Sequence, residues 1–403
     1  MSLSSPAHSG SVLQVAALSH WTPSCMIAKR GSSALVEHLH RRADVRGIPL
    51  SGTFELTPMC SMACKMCYVR MTAEEVRQSG KRLRTVDEWL ELAKVLREQG
   101  TLMILLTGGE PLTYPGFREL YRELRAMGFV LSINSNATLI DEETVAWFAE
   151  DPPQRINITL YGASNETYMR LCNHPTGYTI VTKAIEMLQD AGVPVKLNCS
   201  ITPDNVCDLE KIIAFSDERK LVLQASSYMF PPVRRDETSV GRNERFSPEE
   251  CARVEARIRL LQRGEDDLRA YCANVEAHTV PEEDACFDCE GDGVRCRAGK
   301  SSFWITWDGR LLLCAMMNDP AYDVFEIGFP AAWEQLRRRT MEIRLPAECA
   351  ACDSKDVCRS CAAMIYTETG CYDKKPQYRC DLMRSTPAAC RALLKEDPHE
   401  QEI

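Results

Sequence analysis

The stretch Thr57–Met71, TPMCSMACKMCYVRM, carries three cysteines, Cys60, Cys64 and Cys67, within eight residues. It follows the segment GTFELTP, which starts at Gly52 and reads as a β-strand. The thiols therefore stand just past a strand's C-terminal end, where α/β proteins place their chemistry. Three is an awkward number, because zinc ribbons use pairs of cysteines and disulfides use even counts. Three readings compete at this point. The cysteines are small buried hydrophobes, or zinc ligands in need of a fourth, or three corners of a four-iron cube whose last iron takes an exchangeable ligand.

Composition narrows the field. The chain has 403 residues, 45% hydrophobic and 26% charged, an ordinary globular mix. That length accommodates a large α/β core and a smaller module. A net charge of −9 gives no reason to expect nucleic acid. The basic run LRRRTME, Leu336 to Glu342, reads as a solvated helix face. No apolar run approaches the ~20 residues of a membrane span. The N-terminus lacks the basic region of a signal peptide, so a cytoplasmic location is expected. A reducing compartment does not sustain a disulfide scaffold, and 20 cysteines there point to metal ligation or catalysis.

Beyond the first strand, strand-like and helix-like segments alternate. TVDEWLELAKVLREQG reads as a helix, LMILLTGG as a strand, GFRELYRELRAMG as a helix and FVLSINSNA as a strand. The series continues through RINITLYGA, PVKLNCSITP and LVLQASSYMF, giving six βα steps and a parallel sheet. Six units are too few for a closed eight-stranded barrel. The expected fold class is α/β, a partial (β/α)6 TIM-like barrel followed by a cysteine-rich C-terminal domain. Ser226 to Pro248 is turn-rich and reads as a linker or an active-site loop.

The second predicted strand ends in LLTGGEPL, with Gly108, Gly109, Glu110 and Pro111. Paired with C-x3-C-x2-C one βα unit upstream, this triplet resembles the radical S-adenosylmethionine (SAM) superfamily from about Thr53 to Phe230. The resemblance implies that Cys60, Cys64 and Cys67 hold a [4Fe–4S] cluster whose fourth iron binds SAM. It implies that the GGEP stretch, Gly108 to Pro111, meets the SAM amino group. It also places Asn134, Asn136, Thr159 and Arg170 around SAM. The family's aromatic residue before the third cysteine is Met66 here, and Tyr68 follows instead, as the candidate for packing near the adenine.

A second resemblance covers the C-terminal half. Cys296, Gly309, Cys314, Cys349, Cys352, Cys358, Cys361 and Cys380 follow, in order, the pattern of the SPASM extension of radical SAM enzymes. Cys361 arrives one residue early for that pattern. The resemblance implies two auxiliary [4Fe–4S] clusters. Cys349, Cys352, Cys358 and Cys380 would hold one. Cys296, Cys314 and Cys361 would hold the other with Cys289, for which Cys286 and Cys371 are rivals. The expected domain plan is an N-terminal extension at 1–50, a radical SAM core at 51–231, a linker and helix at 232–280, a SPASM domain at 281–390 and a tail at 391–403.

By the same resemblance, the enzyme generates a 5′-deoxyadenosyl radical that takes a hydrogen atom from substrate, and auxiliary clusters accept an electron from the product. The expected substrate is a ribosomally made peptide or protein, modified oxidatively, with a thioether or other cross-link foremost. Three alternatives stand beside it: a small-molecule substrate, a sulfatase-maturing-type oxidase, and a zinc-binding scaffold without turnover. Sulfatase-maturing relatives carry an aspartate after the cysteine that aligns with Cys314, where this chain has Ala315, with Asp319 further on. The expected partners are a flavodoxin or ferredoxin as electron donor, and a separate leader-binding protein unless the core itself reads the leader. No residue stands out as a catalytic base.

Overall fold

The computed structural model describes residues 34–280 and 292–395. Cys286 and Cys289 lie outside the described residues. The strands are β1 Ser51–Glu55, β2 Met103–Thr107, β3 Val130–Ser135, β4 Arg155–Thr159, β5 Val195–Ser200, β6 Leu223–Ser226, β7 Ser302–Ile305, β8 Arg310–Leu312 and β9 Ala321–Asp323. They form one sheet in the order β6-β5-β4-β3-β2-β1-β7-β8-β9. Strands β1 to β6 pair in parallel, as the alternation of segments predicts. The sheet ends at β6 and β9, so the barrel is partial and not closed.

Local chemistry sets the elements. The helix Val86–Glu98 opens on a capping box in which Thr85 and Glu88 satisfy each other's backbone N–H groups. It presents Trp89, Leu92, Ala93 and Leu96 to the sheet, and Trp89 stacks on Phe54 of β1 at 4.6 Å between ring centroids. Phe54, Ile104, Leu106, Leu131, Ile133, Ile156, Ile158 and Leu197 make the strand face beneath the helices, and all are buried. The alternate positions form the opposite, inner face.

The C-terminal module is joined to the core through the sheet itself. Strand β7 pairs in parallel with β1, Ser51 opposite Ser302 and Thr53 opposite Trp304. The β7–β8 hairpin turns at Gly309, whose φ of +95° lies in the left-handed region that glycine tolerates. Strand β8 then runs back antiparallel to β7, Leu312 opposite Trp304, and Cys314 follows two residues past its end. No helix among the described residues is long and apolar enough to cross a membrane.

Candidate active site

The cysteine loop is pinned on two flanks. Gly109 and Glu110 donate backbone N–H groups to the carbonyls of Thr57 and Met59 at 2.6 and 2.9 Å. A β-carbon on Gly108 would lie 2.5 Å from the Thr57 oxygen, and one on Gly109 2.4 Å from the Met59 oxygen. Only glycine lets the end of β2 run this close. On the other flank, Ala63 and Lys65 donate to the carbonyls of Cys172 and Leu171.

Within this frame Cys60, Cys64 and Cys67 are free and half-buried. The Cys60 sulfur accepts hydrogen bonds from Met62 N–H at 3.4 Å and Asn136 Nδ2 at 3.3 Å. The Cys67 sulfur accepts one from Arg70 N–H at 3.2 Å. Cys64 lies against Cys172 and Tyr161. Burial pushes the Cys60 thiol up to about 12; the Met62 N–H pulls it back, and Glu110, Cys64 and Cys67 add to the rise. Burial also raises Cys67, whereas contact with Cys172 lowers Cys64. Three neighbouring sulfurs, with N–H donors already aimed at two of them, suit a cationic cluster that binds them as thiolates.

The strand ends around the loop hold the other predicted residues. Glu110 is fully buried. Its carboxylate accepts from the Asn136 N–H at 2.7 Å, the Leu112 N–H at 3.1 Å and the Ser135 hydroxyl at 3.0 Å. Burial raises it to about 7, and those donors oppose the rise. The protein thus uses this carboxylate to bind the ends of β2 and β3 together. Pro111 is buried behind it and opens a short 3-10 turn. Asn134 accepts from Asn157 Nδ2 at 2.7 Å, and Thr159 ends β4 on the inner face. Arg170 donates through Nε and Nη2 to the Asp204 carbonyl at 2.9 and 2.6 Å, so its guanidinium is engaged with the loop after β5. Tyr68 packs with Trp304, Leu312 and Ala315 of the C-terminal module.

Seven of the predicted auxiliary ligands sort into two groups. Cys314 is pushed up to about 12 by burial first and then by Cys361 and Cys296, and Cys361 to about 11 by burial and Cys296. Separately, Cys349 is pushed up to about 11 by burial, then by Cys380, Cys358 and Cys352. The Met364 N–H donates to the Cys361 sulfur at 3.4 Å, and the Ser360 hydroxyl lies 3.1 Å from that of Cys358. Cys371 sits in a turn, 3.7 Å from the Thr369 hydroxyl. Among the described residues, no three His, Cys, Asp or Glu side chains close around a point where one metal ion could sit. A tetrahedral zinc site needs that convergence, whereas the ligands of a multi-iron cluster bind separate irons.

Residues 54–216 match the family model of the Radical SAM superfamily. That stretch is a radical SAM domain. It is 24% identical to the AdoMet-dependent heme synthase of Methanosarcina barkeri, over 81% of this chain and 94% of that protein. It is 25% identical to the PqqA peptide cyclase of Bradyrhizobium diazoefficiens, over 45% of this chain and 47% of that one. Its fold resembles Streptococcus suis SuiB bound to precursor peptide SuiA, with a TM-score of 0.63 and 16% identity over 85% of this chain and 80% of that one. A radical SAM enzyme is a redox catalyst, which removes the zinc scaffold without turnover as a reading of the whole chain.

Sequence reasoning missed a buried ion pair beside this radical SAM site. Glu55, the last residue of β1, is fully buried, and both its carboxylate oxygens lie 2.6 Å from Arg234 Nη2. Trp304 Nε1 donates to the same carboxylate at 3.0 Å, and Arg234 Nη1 donates to the Ala315 carbonyl at 3.1 Å. Ala315, the position of the aspartate in sulfatase-maturing relatives, is buried here, and its carbonyl serves this network. A second buried pair, Arg245 with Glu368 at 2.6 Å, joined by the Tyr228 hydroxyl at 2.7 Å, fastens the other end of the loop after β6. The loop read as turn-rich in the sequence is thus strapped at both ends. The one available signal was a carboxylate at an inward position of a parallel strand, a place that normally carries Val, Ile or Leu.

Proposed function

We propose that this radical SAM enzyme oxidises its substrate by hydrogen-atom abstraction at the loop Cys60–Cys67, with two auxiliary [4Fe–4S] clusters taking up the second electron. The observation that carries the reading is the grouping of ten thiols into three sets, one at the end of β1 and two in the C-terminal module. Cys60, Cys64 and Cys67 would hold the SAM-binding cluster. Cys349, Cys352, Cys358 and Cys380 would hold one auxiliary cluster. Cys296, Cys314 and Cys361 would hold the other, with Cys289, Cys286 or Cys371 completing it. When bound, a reduced four-iron cluster with SAM supplies a radical able to break an unactivated C–H bond. The chain's own residues do the rest. Met62, Asn136 and Arg70 donate to the cysteine sulfurs; Gly108 to Pro111 with Asn134, Thr159, Arg170 and Tyr68 would frame SAM, and the strapped loop after β6 would keep water from the reacting centre.

The substrate we favour is a peptide, cross-linked with net loss of two hydrogens: one leaves as an atom, the other as a proton and an electron. A flavodoxin or ferredoxin would reduce the enzyme, and a leader-binding protein would deliver the peptide. The test is anaerobic co-expression with each short peptide encoded beside the gene, followed by mass spectrometry. A product two hydrogens lighter, lost on Cys60→Ala, supports the reading; unchanged masses without deuterium uptake overturn it. One observation favours a small-molecule substrate instead. The heme synthase similarity spans most of this chain, whereas the peptide cyclase similarity spans less than half.

A further inference from the structure

The inner face of the sheet is polar for most of its width. Strand register places Thr53, Glu55, Thr107, Ser132, Asn134, Arg155, Asn157, Thr159, Lys196, Asn198 and Gln224 on that one face. Strands buried in parallel sheets normally read as continuous apolar runs, so this alternation calls for a reason beyond packing. Three strand residues on the face are charged: Glu55 on β1, Arg155 on β4 and Lys196 on β5. Glu55 is matched by Arg234. The two cations are not matched by any acid among the described residues.

Lys196 is only 6% exposed. Its ammonium has three donors, and its one partner is Gln224 Oε1 at 2.6 Å. Arg155 stands beside it, and its Nε is buried without an acceptor among the described residues. Burial first, and then the Arg155 charge, lower the Lys196 amine to about 8, and no carboxylate offsets either effect. Like charges held side by side in a half-buried polar trough are destabilising unless an anion enters between them. Asn157, Thr159 and Asn198 border the pair on the side toward the strand ends.

We propose that this trough is the substrate's oxyanion anchor: Lys196 and Arg155 clamp a carboxylate or phosphate of the substrate, with Gln224 and the Asn134–Asn157 amide pair beside it. The assignment rests on reading the chain as a substrate-modifying radical SAM enzyme, and it adds the chemical class of what the enzyme takes. Lys196 lies two residues before Asn198, which pairs with the last residue of β4. At about 3.3 Å per residue the anion sits about 7 Å deeper than the strand ends. The substrate is therefore gripped inside the barrel while its reacting C–H faces the cysteine loop. An acidic peptide side chain and a carboxylated or phosphorylated small molecule both meet this requirement.

Isothermal titration calorimetry of the cluster-loaded full chain tests the anchor, with succinate and inorganic phosphate as probes. Saturable binding is expected, weakened at least tenfold by Lys196→Met and by Arg155→Gln, and largely kept by Lys196→Arg. Affinity is also expected to fall as pH rises from 7 to 10, because only the ammonium form attracts an anion. Preference for succinate identifies the anchor as a carboxylate site, and preference for phosphate as a phosphate site. Absence of saturable binding, or equal affinity in wild type and both charge-removing variants, overturns the proposal. Formation of 5′-deoxyadenosine from SAM by the reduced wild-type enzyme, without substrate, reads the radical chemistry separately. Its absence with anion binding intact would sink that chemistry and spare the anchor.

Discussion

Replacing Arg234 by Met removes one half of a charge pair in which Glu55 and Arg234 are 0% and 5% exposed. The Glu55 carboxylate would then keep the Trp304 indole N–H as a donor, in a site closed to water. Stranding a buried charge costs about 3–5 kcal/mol, several times the worth of a surface pair. Removing both partners, as Glu55→Leu with Arg234→Met, deletes the uncompensated charge along with the pair and is expected to recover most of that loss. Urea unfolding of the cluster-loaded protein, followed by tryptophan fluorescence, reads the difference. With a slope near ~3 kcal/mol per molar urea, the single variant's midpoint falls by about 1 M or more. The double variant's midpoint stays close to that of wild type. A single variant within about 1 kcal/mol of wild type would refute the claim that this pair is desolvated. A double variant as weak as the single would show that shape, and not charge, carries the contact.

Gly109→Ala drives a methyl group to 2.4 Å from the Met59 carbonyl. It is expected to displace the cysteine loop and lower iron retention at that site, measured by iron per chain after desalting. Cys60→Ser and Cys349→Ser are each expected to remove about four irons per chain, from different sets, if each set holds a cubane cluster. An equal loss of all iron in both variants would argue that the thiol groups are one assembly. Lys196 has a folded value of about 8 against 10.5 when free. Because the folded state holds fewer protons than the unfolded one between those values, stability attributable to this residue rises with pH across that window. Lys196→Met should therefore exceed wild type by roughly 3 kcal/mol below pH 8 and converge with it by pH 10.5, read as paired urea midpoints at each pH.

Much of the core was legible because its signals are local. Helix starts such as Thr85 with Glu88 and Ser247 with Glu250 announce themselves within four residues, and the structure forms both capping boxes. The grouping of Cys349, Cys352 and Cys358 is likewise written in short spacings. What the sequence hid is non-local. The pairing of β7 with β1 joins segments from opposite halves of the chain, and no periodicity in Ser302–Ile305 names its partner. Glu55 and Arg234 are 179 residues apart, and although a carboxylate within a parallel strand is unusual, nothing local names Arg234 as its partner. Glu110 shows the converse. Its place in GGEP was plain, but only the fold reveals that Ser135 and Asn136 occupy its carboxylate.

The polar inner face links these observations. A buried polar group costs free energy unless it is hydrogen-bonded, so a sheet under no other demand would fill these positions with Val, Ile or Leu. From β1 across to β5 the internal compensation diminishes. Glu55 has a full ion pair, Asn134 and Asn157 satisfy each other in part, Lys196 has a single neutral acceptor, and the Arg155 Nε has none among the described residues. The strapped loop and the β7–β8 hairpin cover the β1 side, where charge is balanced by the protein itself. The deficit lies on the far side, below the strand ends that face the cysteine loop. A fold that balances its charges on one wall and leaves two cations waiting on the other has given its walls different duties, with β1 holding the radical machinery in place and β4 and β5 holding what it acts upon.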